Sequence, residues 1–271
     1  MQRRKFLQSS LAVTAGLAVS VNPAIAGDQY SAQKEVYEWR EYEMNFAVDQ
    51  GQLENYFKTA LIPALNKYGV KKVGVFKEWR QSDPVKFYLL TTFSSLDNFL
   101  SVNAKVKADA DYIKNSAAYN SIPADKAIYS RFTSSLMVAF DGFPALVAPS
   151  GKSRIFELRT YEGYSEDAVR RKIKMFHDGE FPIFNRAKLN PVFCGEVIAG
   201  DKQPRLTYMI TCSSMEERDK GWADFVADPE WKKLVSNPQY ANTISKISNT
   251  FLVPTSYSHG SFQTNCSFLK V

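Results

Sequence analysis

The chain has 271 residues, 45% hydrophobic and 14% aromatic, with 34 Lys and Arg against 28 Asp and Glu for a formal net charge of +6. Three of those basic residues are Arg3, Arg4 and Lys5, and no Lys/Arg run interleaves with aromatics, so nothing in the charge balance favours a nucleic-acid partner. Two histidines (His177 and His259) and three cysteines (Cys194, Cys212 and Cys266) without a Cys-x-x-Cys are too few for a His-rich metal cluster within one chain. No metal and no resident cofactor is expected.

Taken in chain order, the basic start Met1-Gln2-Arg3-Arg4-Lys5-Phe6-Leu7 precedes an apolar stretch over 11–21 and then Ala24-Ile25-Ala26. These are the parts of a secretory signal peptide cleaved after Ala26, and the Arg pair resembles a twin-arginine signal. The apolar run is too short to span a membrane. The expectation is an exported, periplasmic protein that is not integral to the membrane once processed.

Residues 35–43 alternate as a strand. Residues 49–67 then carry Leu53, Tyr56, Phe57, Ala60, Leu61 and Leu65 at helical spacing, with Pro63 kinking or ending the helix. A strand over 70–80, a turn at Ser82-Asp83-Pro84 and a strand over 86–93 follow. Ser94 or Ser95 caps a broken helical stretch reaching about residue 120, and 127–139 supplies a fourth strand. The order β-α-β-β-α-β is ferredoxin-like. After a Pro/Gly linker, the pattern recurs: strand 154–161, helix 165–178, strand 189–199, strand 205–212, helices 214–226 and 229–236, and strand 244–253. The Ser-rich residues 255–265 lack periodicity and are expected over the surface or across a partner subunit.

The recurrence is a duplication at an offset of 119 residues. Glu38, Arg40 and Tyr42 fall onto Glu157, Arg159 and Tyr161; Pro63 falls onto Pro182; Ser94-Ser95-Leu96 falls onto Ser213-Ser214-Met215. The domain reading is a signal peptide 1–26, a first repeat 27–140, a linker 141–152, a second repeat 153–254 and a tail 255–271. Each sheet needs a cover on both faces, so the predicted fold class is α+β. Tandem ferredoxin-like repeats would set their antiparallel sheets face to face in an α/β barrel with the helices outside.

Strand alternation puts Phe156 and Leu158 on one face, expected under the helices. Glu157, Arg159 and Tyr161 share the other, expected between the sheets, as do Glu38, Arg40 and Tyr42. Two readings follow. The faces are structural ion-pair networks, or Arg159 and Arg40 bind an anionic or carbonyl group beside Glu38 and Tyr42, with Glu157 or Tyr161 moving a proton. His177 is predicted near a helix C-terminus, as a dipole partner, a general base or an axial haem ligand. Its counterpart is Lys58, so chemistry involving it would belong to the second repeat. His259 is expected at the surface, and Trp79, Trp222 and Trp231 in packing. Hairpin register puts Cys194 opposite 208 or 209, away from Cys212.

Phe156-Glu157-Leu158-Arg159-Thr160-Tyr161, Phe181-Pro182 and the run from Trp222 to Trp231 resemble the NIPSNAP family of the dimeric α/β-barrel superfamily. The resemblance implies two ferredoxin-like repeats and a homodimer or higher homo-oligomer. Members of the superfamily range from monooxygenases acting on aromatic compounds and haem-dependent enzymes to structural proteins. The expected function is an exported protein that binds a small organic molecule between its sheets, with monooxygenase-like activity. The alternative is a non-catalytic interaction or scaffold protein.

Overall fold

The computed structural model describes residues 33–45, 47–80, 82–149, 155–259 and 262. The expected signal peptide, Cys266 and most of the tail lie outside the described residues. Eight strands close into an antiparallel barrel in the order β1-β3-β2-β8-β5-β7-β6-β4. The first repeat supplies β1 (Val36–Met44), β2 (Val73–Glu78), β3 (Lys86–Phe93) and β4 (Tyr129–Ala139). The second supplies β5 (Ile155–Glu162), β6 (Asn190–Ala199), β7 (Arg205–Cys212) and β8 (Lys246–Pro254). The two sheets are sewn together by β2 against β8 and β4 against β6.

The duplication extends to backbone detail. Helix α1 (Gln50–Tyr56) runs through a π-turn, Phe57–Leu61, into α2 (Ile62–Lys67). In the second repeat α5 (Glu166–Met175) runs through Phe176–Glu180 into α6 (Phe181–Arg186). Pro63 and Pro182 explain the irregularity, since proline offers no N–H to the carbonyl four residues back and its ring crowds that group. The preceding turn widens instead, and Ile62 N–H bonds Phe57 O while Phe181 N–H bonds Phe176 O. Pro63 thus widens the helix and does not end it.

Ser95 and Ser214 cap α3 (Leu96–Ala108) and α7 (Met215–Ala227), each hydroxyl accepting from the amide three residues on. Asp109 and Asp228 cap α4 (Ala110–Asn120) and α8 (Pro229–Val235).

The faces of β1 and β5 are the reverse of the sequence expectation. Tyr37, Trp39, Phe156 and Leu158 point into the barrel, packed with Phe76, Phe193 and Met209. Tyr42 joins the cluster under α1–α4, and Tyr161 joins the one under α5–α8. An eight-stranded barrel has an interior just wide enough to be filled by side chains, and here the large apolar ones fill it. The Glu-x-Arg-x-Tyr faces therefore lie outside, beneath the helices.

The start of the tail also differs from expectation. β2 pairs with β8 only through 76–78, leaving 73–75 with an open edge. The Ser258 hydroxyl accepts from Val75 N at 2.9 Å and donates to Val75 O at 2.8 Å, and His259 N donates to Val73 O. Phe262 is buried against Phe76 and Phe156. Ser258 is likewise fully buried, and His259 is half-buried instead of lying free on the surface. Cys194 stands opposite Tyr208, as the hairpin register predicts. Among the described residues no helix is long and apolar enough to cross a membrane, and no group of three His, Cys, Asp or Glu is placed to hold a metal.

Candidate functional site

β5 presents Glu157, Arg159 and Tyr161 to α7, whose Arg218 and Trp222 lie one turn apart on the facing side. Glu157, fully buried, accepts from Arg159 Nη1, from Arg218 Nε at 2.8 Å and Nη2 at 2.9 Å, from Trp222 Nε1 at 3.1 Å and from Asn249 Nδ2 at 3.2 Å. Burial pushes its carboxyl up, but the bonds from Arg218 and Arg159 prevail and bring it down to about 2. Glu157 is thus ionised and saturated with donors at neutral pH. It anchors Arg159, Arg218 and Trp222, and a proton-transfer role does not fit it.

Arg159 lies 4.4 Å from the centre of the Trp222 ring and donates to the Tyr161 hydroxyl at 3.3–3.4 Å. Tyr161 in turn shares a 2.8 Å hydrogen bond with Tyr208.

In the first repeat, Arg40 grips Glu38 through Nε at 2.7 Å and Nη2 at 3.0 Å, and Ser134 donates to the same carboxylate. Tyr42 stacks on Phe132 with ring centres 4.8 Å apart. The space beyond is filled by Tyr56 stacked on Tyr119 at 3.9 Å.

The second repeat leaves its equivalent space open. A cleft of about 630 Å³ lies between the outer face of the sheet and helices α5, α7 and α8. Arg159, Tyr161, Lys172 and Glu180 line it, with walls that include Trp222, Phe225, Trp231 and Ile244. Lys172 and Glu180 form an ion pair, both almost fully buried. The Lys172 ammonium also sits 5.0 Å from the Phe176 ring centre and 5.6 Å from those of Tyr161 and Trp231. Burial raises the Glu180 carboxyl, an effect that Lys172 and then Arg159 oppose.

Of the residues singled out by sequence, Glu157, Arg159 and Tyr161 come together at this site, with Arg159 and Tyr161 reaching the cleft. Glu38, Arg40 and Tyr42 form the filled counterpart in the first repeat. His177 is not at a helix C-terminus: it lies inside the π-turn, where Gly142 N–H donates to Nε2 at 3.3 Å, beside Phe140 and Phe181. It does not line the cleft, and burial lowers its pKa. Sequence reading missed Lys172, Glu180 and Arg218 and took Trp222 and Trp231 for packing alone. The signal was available in the repeat: at an offset of 119, Lys172 and Glu180 replace Leu53 and Leu61, and Arg218 replaces Phe99.

Residues 156–259 match the NIPSNAP family model. The matched span begins within β5 and contains every cleft residue named above. No match was found among curated proteins. Among solved structures, similar chains include proteins described as candidate monooxygenases. The one from Lactobacillus acidophilus NCFM has a TM-score of 0.53 at 9% identity, over 82% of this chain and 94% of that one. The one from Fusobacterium nucleatum has a TM-score of 0.53 at 9% identity, over 82% and 93%. An anthrone oxidase-like protein aligns with a TM-score of 0.51 at 9% identity, over 87% of this chain and 98% of that one. These likenesses are of fold: the dimeric α/β-barrel type, with eight strands in a closed antiparallel barrel.

Proposed function

We propose that this chain is an exported member of the NIPSNAP family whose second repeat binds a small amphipathic organic anion. One observation carries the reading: Arg159 and Lys172 lie at a cleft of about 630 Å³ whose walls are apolar and aromatic and whose single lining acid is Glu180. The volume is that of a small-molecule pocket. Arg159, stacked on Trp222 and held from behind by Glu157, suits a carboxylate; the aromatic walls suit a flat apolar body. This location is outside the barrel, beneath the helices. Titration calorimetry with 2-naphthoate and its neutral analogue 2-naphthalenemethanol tests the reading. Naphthoate should bind more tightly, and Arg159→Met should remove that preference; equal affinities in the wild type contradict it.

The catalytic extension is a monooxygenase-like reaction in the same cleft, with Glu180 as the proton acceptor because burial raises its carboxyl. It predicts that a hydroxylated naphthoate consumes one O2 to give the naphthoquinone carboxylate. One oxygen atom enters the ring and the other leaves as water with two hydrogens lost from the substrate. Glu180→Gln should abolish this uptake while binding persists. Lack of uptake by the wild type counts against catalysis and leaves binding standing. The alternative of an interaction protein draws on exposed Val226, Val235 and Ile247 at the cleft rim. A homodimer built on that rim predicts concentration-dependent sedimentation that Val235→Lys abolishes.

A further inference from the structure

Over most of its length the barrel interior is filled by aromatic and aliphatic side chains. At one end the inward positions change character. Thr133 and Ser135 of β4, Thr160 of β5, Thr207 of β7 and Thr250 of β8 line a cavity of about 220 Å³, open at the barrel mouth, that Trp39 also borders. An eight-stranded barrel can fill its own interior, as this one does deeper in. Hydroxyl groups at successive inward positions forgo that burial and present donors and acceptors to the cavity.

Each cation at this mouth meets a carboxylate, while the lining carboxylates Glu78 and Glu162 form no ion pair among the described residues. Lys86 and Arg205 are related by the 119-residue offset; Lys86 Nζ meets Glu41 at 2.7 Å and Arg205 Nη2 meets Asp201 at 3.0 Å. Arg205 also donates to Ser135 Oγ, and Tyr88 OH donates to Glu78 at 2.8 Å. Carboxylates outnumber cations around the cavity (Glu41, Glu78, Glu162 and Asp201 against Lys86, Lys202 and Arg205), which disfavours an anion. Trp39 is 7% exposed and borders the cavity with an indole whose N–H is a donor.

We infer that the barrel mouth binds a small neutral polyhydroxylated molecule the size of one monosaccharide. Its C–H face would pack on Trp39, one hydroxyl would accept from the indole N–H, and the others would exchange hydrogen bonds with the threonines and serines. Glu41, paired with Lys86, and Glu78, which accepts from Tyr88 and Ser82, keep free lone pairs for ligand hydroxyls. The site lies inside the barrel and is independent of the cleft under the helices.

The four tryptophans make the test specific, since Trp39 borders this cavity and Trp222 and Trp231 border the other. In a ¹H–¹⁵N spectrum, titration with methyl β-D-glucopyranoside or myo-inositol should shift the Trp39 indole resonance to saturation and leave those of Trp222 and Trp231 in place. Ser248→Phe, at an exposed position on the rim of the mouth, should weaken binding at least tenfold with the spectrum otherwise folded. Thr160→Val should weaken it about two- to tenfold through one lost hydrogen bond. A Trp39 resonance that ignores both polyols, or responds equally in Ser248→Phe, overturns the inference.

Discussion

Replacing Glu157 by Gln removes the charge on which Arg159, Arg218, Trp222 and Asn249 converge. The carboxyl falls from an ordinary 4.5 to about 2 on folding, which at ~1.4 kcal/mol per unit is a stabilisation of about 3 kcal/mol at neutral pH. The same figure follows from the usual cost of breaking a buried ion pair, roughly 3–5 kcal/mol, because two guanidiniums lose their counter-charge. The folded-state pKa is depressed, so this contribution is complete above the unfolded value and fades as pH falls through the folded one. Linkage leaves about 1.4 kcal/mol of it at pH 3. Urea unfolding followed by circular dichroism at pH 7 and pH 3 gives the comparison. Glu157→Gln should be less stable by about 3 kcal/mol at pH 7, with the gap at least halved at pH 3. A difference under 1 kcal/mol at pH 7, or one that does not change with pH, would refute the assignment of Glu157 as an ionised structural anchor.

Lys172→Met and Glu180→Leu should each destabilise the fold by roughly 3–5 kcal/mol, whereas the double variant should approach wild-type stability because it restores an apolar pair like Leu53 and Leu61. Additive losses in a urea double-mutant cycle would exclude coupling. Phe262→Ala should lower stability by about 3–5 kcal/mol as a truncation within the barrel core; an unchanged midpoint would return this residue to the surface. His177→Ala should leave naphthoate affinity within twofold, since His177 does not reach the cleft, and a tenfold loss by calorimetry would contradict its placement. Burial holds the Cys194 thiol well above its ordinary range, so mass spectrometry after maleimide treatment at pH 7 should find Cys194 unmodified in the native protein.

The repeat was legible because a duplicated backbone keeps its turns, caps and prolines at one spacing: β3 and β7, and α3 and α7, correspond residue for residue at 119. Alternation showed which residues of β5 share a face but carried no information on which face the helices cover. An apolar face suits a lumen as well as a helix layer, and the ion-paired face was covered by α7 side chains far away in sequence. The tail escaped because its anchoring depends on one hydroxyl and one phenyl ring, Ser258 and Phe262, which form no periodic pattern. Lys172 and Glu180 were hidden by their spacing of eight, which in a regular α-helix leaves two side chains about 80° apart around the axis. The π-turn absorbs one residue, so eight positions behave as seven and the pair meets.

The most direct test of the cleft is a titration of ¹⁵N-labelled protein with 2-naphthoate, read at its four tryptophan indoles. The proposed anion site predicts saturable shifts at Trp222 and Trp231, lost in Arg159→Met, with Trp39 and Trp79 unmoved. Shifts at Trp39 alone, or at none of the four, would contradict it.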